Sequence, residues 1–341
     1  CYCLCEKGWT HGDHRLRDRN GCAYYEDGNW KLRQWFAQTP DEESEILSAF
    51  LAFAEPYSYL IHYNGNTFDL PFLRKKADKY GISYTLSSKK GLDIFRRITP
   101  YKNFLKLPDC KLKTIESFLG IHREDIYTGG QLIQVYHDYT SSHDYDLYHT
   151  LILHNADDMK GMLETLPILS YYDLFNCSIK ASKAQTNYYN DMHGVPRKEL
   201  IIRLIFVSPL PVAISFMGKG CHFKAEGYER TLAIPIYEEE LKYYYANYKD
   251  YYYLPLEDTA LHKSIASFVD KDYREQATAR NCYTRKISLY LPQGKVMVEP
   301  FFKRDYHSKD RFFELADDIK KDRQLFADDA SHVWDAIAFQ D

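Results

Sequence analysis

The stretch YSYLIHYNGNTFDLPFL, residues 57–73, decides how the first half of the chain is expected to fold. Its first seven residues, 57–63, are rich in β-formers and predict a short strand. The NGN triplet at residues 64–66 is a turn signal, and the residues from about 68 to 80 predict a helix. This order places Asp69 at the edge of a sheet, where α/β folds bind ligands. Asn and Asp are also common helix caps, so a purely structural reading stays open.

Further elements are expected on both sides of this stretch. A hairpin is predicted at residues 22–38, because two aromatic-rich runs flank an Asp-Gly turn. Helices are predicted from residue 41 onward and at 112–120, 130–139 and 144–174. A hairpin followed by alternating strand and helices predicts an α/β fold with a mixed sheet flanked by helices.

The composition of the 341 residues is that of a globular protein, with 45% hydrophobic and 27% charged residues. This length predicts two domains. The lack of a long uncharged apolar run excludes a transmembrane helix. The formal net charge of -4 excludes a globally basic nucleic-acid binder but leaves room for a local basic groove.

The eight cysteines include no CxxC pair, which argues against a zinc ribbon. Cys1, Cys3 and Cys5 form a cluster that could bind a metal, although it has no partner cluster. We expect a cytoplasmic protein with reduced thiols.

A second domain is expected after the polar residues 177–198, which indicate a linker or a boundary. Residues 199–236 and 283–303 predict strands, residues 237–278 predict partly helical structure, and the last ~35 residues predict a helix. The expected organisation is therefore an aberrant segment at 1–20, an α/β domain at 21–175 and an α+β domain of unknown role at 177–341.

A second candidate site lies in the segment LHNADDM, residues 153–159, within the predicted long helix. His154 and Asp158 are four residues apart and share one helix face. A histidine and a carboxylate so placed can serve a metal-activated water, one as proton handler and the other as ligand. A solvated surface pair is the alternative.

The two segments together resemble the second and third motifs of the DEDD 3′→5′ exonuclease superfamily, which has a ribonuclease H-like fold. The resemblance is closest to the YprB-type ribonuclease H-like domain family. It covers about residues 21–175 and includes the Leu-Asp-Ile at 92–94, the run KLKTIESFLG at 111–120 and the Gly-Gly pair before Leu132.

This resemblance implies hydrolysis of nucleic-acid phosphodiesters with two Mg²⁺ or Mn²⁺ ions, which acidic side chains hold because hard cations prefer oxygen ligands. Asp69 and Asp158 match two of the four metal ligands. His154 takes the place of a Tyr that orients the water in many relatives. The expected substrate is a single-stranded DNA or RNA end. The residues that match its binding pocket are Asn64 and Phe68, with Asn155 as a weaker candidate.

The first motif of the family, Asp-x-Glu on the first strand, is missing from residues 1–20, which predict no strand. A one-base shift in codons compatible with residues 11–16 gives Thr-Glu-Thr-Thr-Gly, which resembles the rest of that motif. We therefore interpret residues 1–20 as translated out of frame. The metal site is expected to be incomplete, and the chain to be inactive or impaired in this form.

The remaining basic and aromatic segments have two interpretations. The segment KYYYANYKDYYYL at 242–254 suits phosphate contact and base stacking, but an amphipathic helix and strand with buried tyrosines is the favoured interpretation. Arg74, Lys75 and Lys76 could face phosphate. The alternatives to an exonuclease are a non-catalytic nucleic-acid binder and an interaction domain without affinity for nucleic acid.

Overall fold

The structure is a computed structural model that describes residues 2–7, 19–122, 129–176, 180–206, 208–316 and 328, with the backbone alone at 2–7, 19, 129–130 and 180. The chain divides into two compact units, Cys1–Leu174 and Phe175–Asp341.

The first unit contains a five-stranded mixed sheet in the order β3-β2-β1-β4-β5. Its strands are β1 (Tyr2–Lys7), β2 (Arg19–Glu26), β3 (Asn29–Phe36), β4 (Tyr59–His62) and β5 (Lys90–Asp93). The first three strands are antiparallel, whereas β1, β4 and β5 run parallel, with Cys5 opposite His62 and His62 opposite Asp93. The three parallel strands therefore end at the same edge of the sheet.

Seven helices accompany this sheet in the part of the chain that the structure describes. They are α1 (Glu43–Ala54), α2 (Asp69–Tyr80), α3 (Ile94–Ile98), α4 (Leu112–Phe118), α5 (Gly129–Ser142), α6 (Tyr145–Glu164) and α7 (Leu169–Asn176). The main core forms where α1 and α2 meet the sheet, since Phe50 and Leu51 of α1 pack with Leu60 of β4 and Leu73 of α2. Burying each such side chain contributes roughly 1.5–3 kcal/mol.

The predicted α/β fold with a mixed sheet is confirmed, and the predicted strand and helix of residues 57–80 correspond to β4 and α2. The predicted hairpin is β2–β3, and its turn has positive φ angles at Asp27 (53°) and Gly28 (81°), as a type I′ turn requires. The expectation of no strand before residue 20 is wrong for Tyr2–Lys7, because β1 pairs with both β2 and β4. Residues 8–18 lie outside the described part.

The second unit is β-rich. Its strands are β6 (Lys180–Asn190), β7 (Pro196–Ile205), β8 (Leu210–Gly218), β9 (Cys221–Gly227), β10 (Glu229–Tyr244), β11 (Tyr251–Leu254), β12 (Thr259–His262), β13 (Glu275–Gln276), β14 (Tyr283–Gln293), β15 (Phe301–Phe302) and β16 (Arg311–Glu314). Strands β11–β13 form a small sheet, and the others belong to an eight-stranded sheet. The one α-helix described here is short, α8 (Lys263–Ala266).

The structure corrects two expectations for this unit and confirms a third in part. Residues 180–190 are not a linker but strand β6, whose polar composition suits its place at the edge of the sheet. The region 237–278 is helical in part, as predicted, at Lys263–Ala266, but it contains more strand than helix because its tyrosines line β10 and β11. Within the last ~35 residues, Arg311–Glu314 is a strand, and most of the remainder lies outside the described part.

Among the residues described, no helix combines the length and the apolar character needed to cross a membrane. Cys22, Cys110, Cys221 and Cys282 are buried, whereas the side chains of the Cys1, Cys3 and Cys5 cluster lie outside the described part.

Candidate functional site

The loop between β4 and α2 has a backbone that its sequence requires. Asn64 has a φ of 55°, a left-handed conformation that Asn tolerates better than most residues. Gly65 has no room for a side chain, because an added Cβ would lie 2.8 Å from Cγ and Nδ1 of His62. The Gly65 carbonyl accepts a hydrogen bond from the amide of Leu70 at 2.8 Å. These contacts therefore fix the conformation of the loop just before the first turn of α2.

The buried carboxylate of Asp93 holds this loop from the end of the neighbouring strand. Its Oδ1 accepts hydrogen bonds from the backbone N–H of Asn64 at 2.9 Å and of Arg96 at 3.3 Å. Its Oδ2 accepts one from the N–H of Asn66 at 3.4 Å. The same side chain thus caps α3 and fixes the β4–α2 loop. The sequence indicated Asp93 by family resemblance alone, although an Asp between a strand and a helix is itself a cap signal.

His62, the last residue of β4, forms a hydrogen bond with this loop. Its side chain is 1% exposed, and its Nδ1 accepts a hydrogen bond from the N–H of Gly65 at 3.1 Å. The same nitrogen lies 3.6 Å from Oδ2 of Asp93. A nitrogen that accepts an N–H has no proton of its own, so this second contact is not a charged pair. Sequence reasoning missed His62, because nothing in the strand pattern separates it from an ordinary core residue.

Phe68 and Asp69, both predicted to act at the site, lie at the start of α2. Phe68 precedes the helix and is 44% exposed. Asp69 is the first residue of α2, where the positive end of the helix dipole favours a carboxylate. Tyr63, just before the loop, donates a hydrogen bond from its hydroxyl to the Cys110 carbonyl at 2.5 Å. Burial raises the pKa of this hydroxyl.

The predicted His–Asp pair is formed on α6. Nε2 of His154 lies 3.2 Å from Oδ2 of Asp158, and their side chains are 11% and 15% exposed. The two groups are therefore not a solvated surface pair. Asp144 caps the start of the helix by accepting from the amides of Asp146 and Leu147. Because α6 packs against β1, β2 and β3, the position of the pair depends on this contact.

Asn155, expected as a substrate-binding residue, instead belongs to the contact between α6 and the sheet. It is 1% exposed, and its Oδ1 accepts a hydrogen bond from Nε2 of Gln34 on β3 at 2.8 Å. The same Gln34 amide donates to the carbonyl of Ile152 at 2.9 Å. On β2, Gly21 lies so close to α6 that an added Cβ would be 2.4 Å from Oδ1 of Asn155 and 2.7 Å from Sδ of Met159.

The carboxyl end of β1 lies between these two parts of the site. Its register places Glu6 opposite Gly21, which contacts α6, and Cys5 opposite His62, which ends β4. Strand β1 thus occupies the position at which the first-motif strand was expected. Its sequence, YCLCEK, contains a single acid, Glu6, and no Asp-x-Glu.

The chemistry of the acids suits a hard divalent cation, but their number does not. Asp69 and Asp158 are carboxylates of the kind that Mg²⁺ and Mn²⁺ prefer. Within the described residues, however, no three His, Cys, Asp or Glu side chains are grouped so that they could hold one metal ion. This part of the chain supplies some of the expected ligands and does not form a complete two-metal site.

The basic run on α2 is only partly available to a phosphate. Nζ of Lys76 lies 2.7 Å from Oε2 of the buried Glu43 on α1, so its charge is already paired. The guanidinium of Arg74 lies 5.7 Å from the ring centre of Tyr84. Lys75 is exposed.

In the second unit, many of the tyrosines of residues 242–254 pack against other aromatic rings or bind polar groups. Tyr245 and Tyr251 stack with ring centres 4.4 Å apart. Tyr253 donates a hydrogen bond to Asp258 at 2.5 Å, and Tyr283 donates to the same carboxylate. These contacts favour the interpretation as buried, structural tyrosines over the base-stacking one.

No curated protein matches the chain. A family model described as RNase_H superfamily matches residues 19–167, a range that begins with β2, includes the β4–α2 loop and the His154–Asp158 pair, and ends just after α6. Over residues 19–167 the chain is therefore similar to the RNase_H superfamily.

Proposed function

We propose that this domain belongs to the DEDD-type, YprB-like 3′→5′ exonucleases and that its family-level activity is hydrolysis of single-stranded DNA or RNA ends. The observation that carries the proposal is the His154–Asp158 pair, 3.2 Å apart and largely buried on the helix that packs across β1–β3. A surface ion pair contributes little to stability, whereas a shielded His–carboxylate pair suits proton handling.

The proposed roles follow from position. His154 would take the proton of the attacking water, and Asp158 would hold its imidazole in place. Asn64 and Phe68, on the loop fixed by Asp93, would line the pocket for the terminal nucleotide. The proposal includes Mg²⁺ or Mn²⁺ as cofactor, with Asp69 and Asp158 as two of its ligands.

A second candidate function, a nucleic-acid binder without catalysis, is favoured by one specific observation. The sequence of residues 1–20 contains no Asp-x-Glu, and β1 contributes one acid instead of two. Loss of metal-ligating carboxylates weakens ion binding and removes most of the turnover. The fold and its affinity for nucleic acid would persist without those acids.

The test is trimming of 5′-labelled single-stranded DNA and RNA in the presence of Mn²⁺. If the exonuclease proposal is right, products shorten from the 3′ end, and Asp158→Asn lowers the rate by about 100-fold or more. The matched control is Asp157→Asn on the same helix, whose side chain is 36% exposed and pairs with Lys160, and this variant should retain activity.

Binding without cleavage would instead support the second candidate. Failure to bind either oligonucleotide at low salt would contradict both. Equal loss of activity in Asp158→Asn and Asp157→Asn would contradict the role given to Asp158.

A further inference from the structure

The segment between β5 and α4, residues 94–113, is strongly basic although the chain as a whole is acidic. It contains six cations and one acid, Asp109, whereas the formal net charge of the protein is -4. The cations are Arg96, Arg97, Lys102, Lys106, Lys111 and Lys113. Positive charge concentrated on one segment of an acidic protein is the pattern expected of a local polyanion site.

Half of these six cations have no carboxylate partner in the described part of the chain. In the part of the chain that the structure describes, Arg97, Lys102 and Lys106 have no carboxylate oxygen within 4.0 Å. Lys111 lies 3.4 Å from Asp109, but its side chain is 81% exposed. Arg96 lies 4.0 Å from Oδ2 of Asp93, at the limit for an ion pair. The segment therefore presents a net positive charge to its surroundings.

The backbone of the segment is held by hydrogen bonds, and one of its cations packs against an aromatic ring. The guanidinium of Arg97 lies 4.6 Å from the ring centre of Tyr172. The amide of Leu107 donates to the Lys102 carbonyl at 3.0 Å, and the amide of Lys106 donates to the Asn103 carbonyl at 3.1 Å. A preordered set of cations loses less entropy on binding than a flexible one.

Both ends of the segment are attached to the loop that carries the candidate site. At one end, Asp93 accepts hydrogen bonds from the amides of Asn64 and Asn66. At the other end, the Cys110 carbonyl accepts the hydroxyl of Tyr63, the residue just before the loop. A strand bound along this segment would therefore lie beside the residues proposed to receive its 3′ end.

We propose that residues 94–113 bind the phosphodiester backbone of the nucleic-acid strand whose end enters the site beside Asn64 and Phe68. This inference rests on the proposed function, which identifies nucleic acid as the ligand. It goes beyond that function in predicting where the strand lies, through contacts that carry charge but no base specificity. It also differs from the interpretation of residues 242–254 as the nucleic-acid surface.

The test is binding rather than cleavage. A labelled single-stranded DNA of about 20 nucleotides, and an RNA of the same sequence, are titrated with the full chain in EDTA at several salt concentrations. The variant is the triple substitution Lys102→Gln, Lys106→Gln, Lys111→Gln. The matched control carries the same change at three exposed lysines of the second unit, Lys249, Lys271 and Lys309.

Loss of three phosphate contacts should make the plot of log association constant against log salt concentration less steep by about 2. It should weaken binding about 100-fold near 0.1 M salt. The control should bind like the unchanged chain. The single variant Lys106→Gln, at an exposed position, should make the same plot less steep by ~0.7. This variant keeps the test valid if the triple variant does not fold.

Equal slopes for the triple variant and its control would overturn the inference, as would a failure of the unchanged chain to bind. The two oligonucleotides show whether the segment distinguishes DNA from RNA. Because EDTA removes the metal, binding that depends on the segment supports the inference even if no nuclease activity is found. Cleavage with no effect of the substitutions supports the proposed function alone.

Discussion

Replacement of Gly21 by Ala should disturb the contact that positions the His154–Asp158 pair. A Cβ at this position would lie 2.4 Å from Oδ1 of Asn155 and 2.7 Å from Sδ of Met159. Oδ1 of Asn155 cannot move aside freely, because it accepts the hydrogen bond of Gln34 at 2.8 Å. The methyl group therefore has to displace α6, to break this hydrogen bond, or both.

The expected cost follows from these contacts. Overpacking of a well-filled contact costs ~1–3 kcal/mol, and loss of the Gln34–Asn155 hydrogen bond adds about 1 kcal/mol. Against this, Ala in place of Gly in a strand gains about 0.5–1 kcal/mol from the unfolded state. We expect Gly21→Ala to lower the free energy of unfolding by about 1–3 kcal/mol. Relief of the 2.4 Å contact requires a shift of about 1 Å, which at a catalytic group costs ~100-fold in rate.

Gly91→Ala is the matched control. Gly91 also lies in a strand of the same sheet, β5, but an added Cβ would meet Nε2 of His62 at 3.6 Å, an ordinary contact. Urea unfolding followed by tryptophan fluorescence measures both variants, since Trp35 lies on β3 beside β2. Gly91→Ala should be neutral or slightly stabilising. Equal unfolding free energies for the two variants would refute the proposed tight contact between α6 and the sheet.

Two further predictions concern carboxylates held by hydrogen bonds. Asp93→Ala leaves three backbone amides without their acceptor and should lower the free energy of unfolding by about 2–3 kcal/mol, whereas Asp93→Asn, which still caps α3, should cost less; equal losses in urea unfolding would contradict this. In the second unit, burial raises the pKa of Asp258, but hydrogen bonds from Tyr253 and Tyr283 and the charge of Arg285 outweigh it, and the net pKa is below its ordinary value. The stability that this carboxylate contributes is present above its ordinary pKa and is lost as the pH falls through the lowered one. Tyr283→Phe should therefore move this acid loss to higher pH, and unchanged curves of unfolding midpoint against pH would count against it.

The elements that the sequence predicted best are those specified by neighbouring residues. The strand and helix of residues 57–80 follow from β-formers, a turn triplet and helical spacing, all within one short stretch. The β2–β3 hairpin follows in the same way from Asp27 and Gly28. Strand β6 was missed because it is an edge strand, and edge strands with polar side chains lack the alternation that marks a half-buried strand.

The candidate site could be predicted only where its parts are close in sequence. His154 and Asp158 are one helical turn apart, so their contact follows from their spacing. The hydrogen bond from the Asn64 amide to Asp93 joins residues 29 positions apart, and the Gln34–Asn155 hydrogen bond joins residues 121 positions apart. Such contacts depend on the packing of the sheet against its helices, which no local pattern specifies. The roles of His154, Asp69 and Asp158 in catalysis stay predictions.

The pairing of strand β10 has a consequence for local unfolding of the second unit. Residues Arg230–Ile236 of this strand pair with β7, and residues Tyr237–Tyr244 pair with β14. Pairing with β9 ends at Ala233, so Pro235, which has no amide proton, lies between the end of that pairing and the start of the next. One continuous backbone thus belongs to both halves of the sheet. Opening either half exposes amides of the same strand, so hydrogen exchange in β7 and β14 should report a single cooperative unit rather than two.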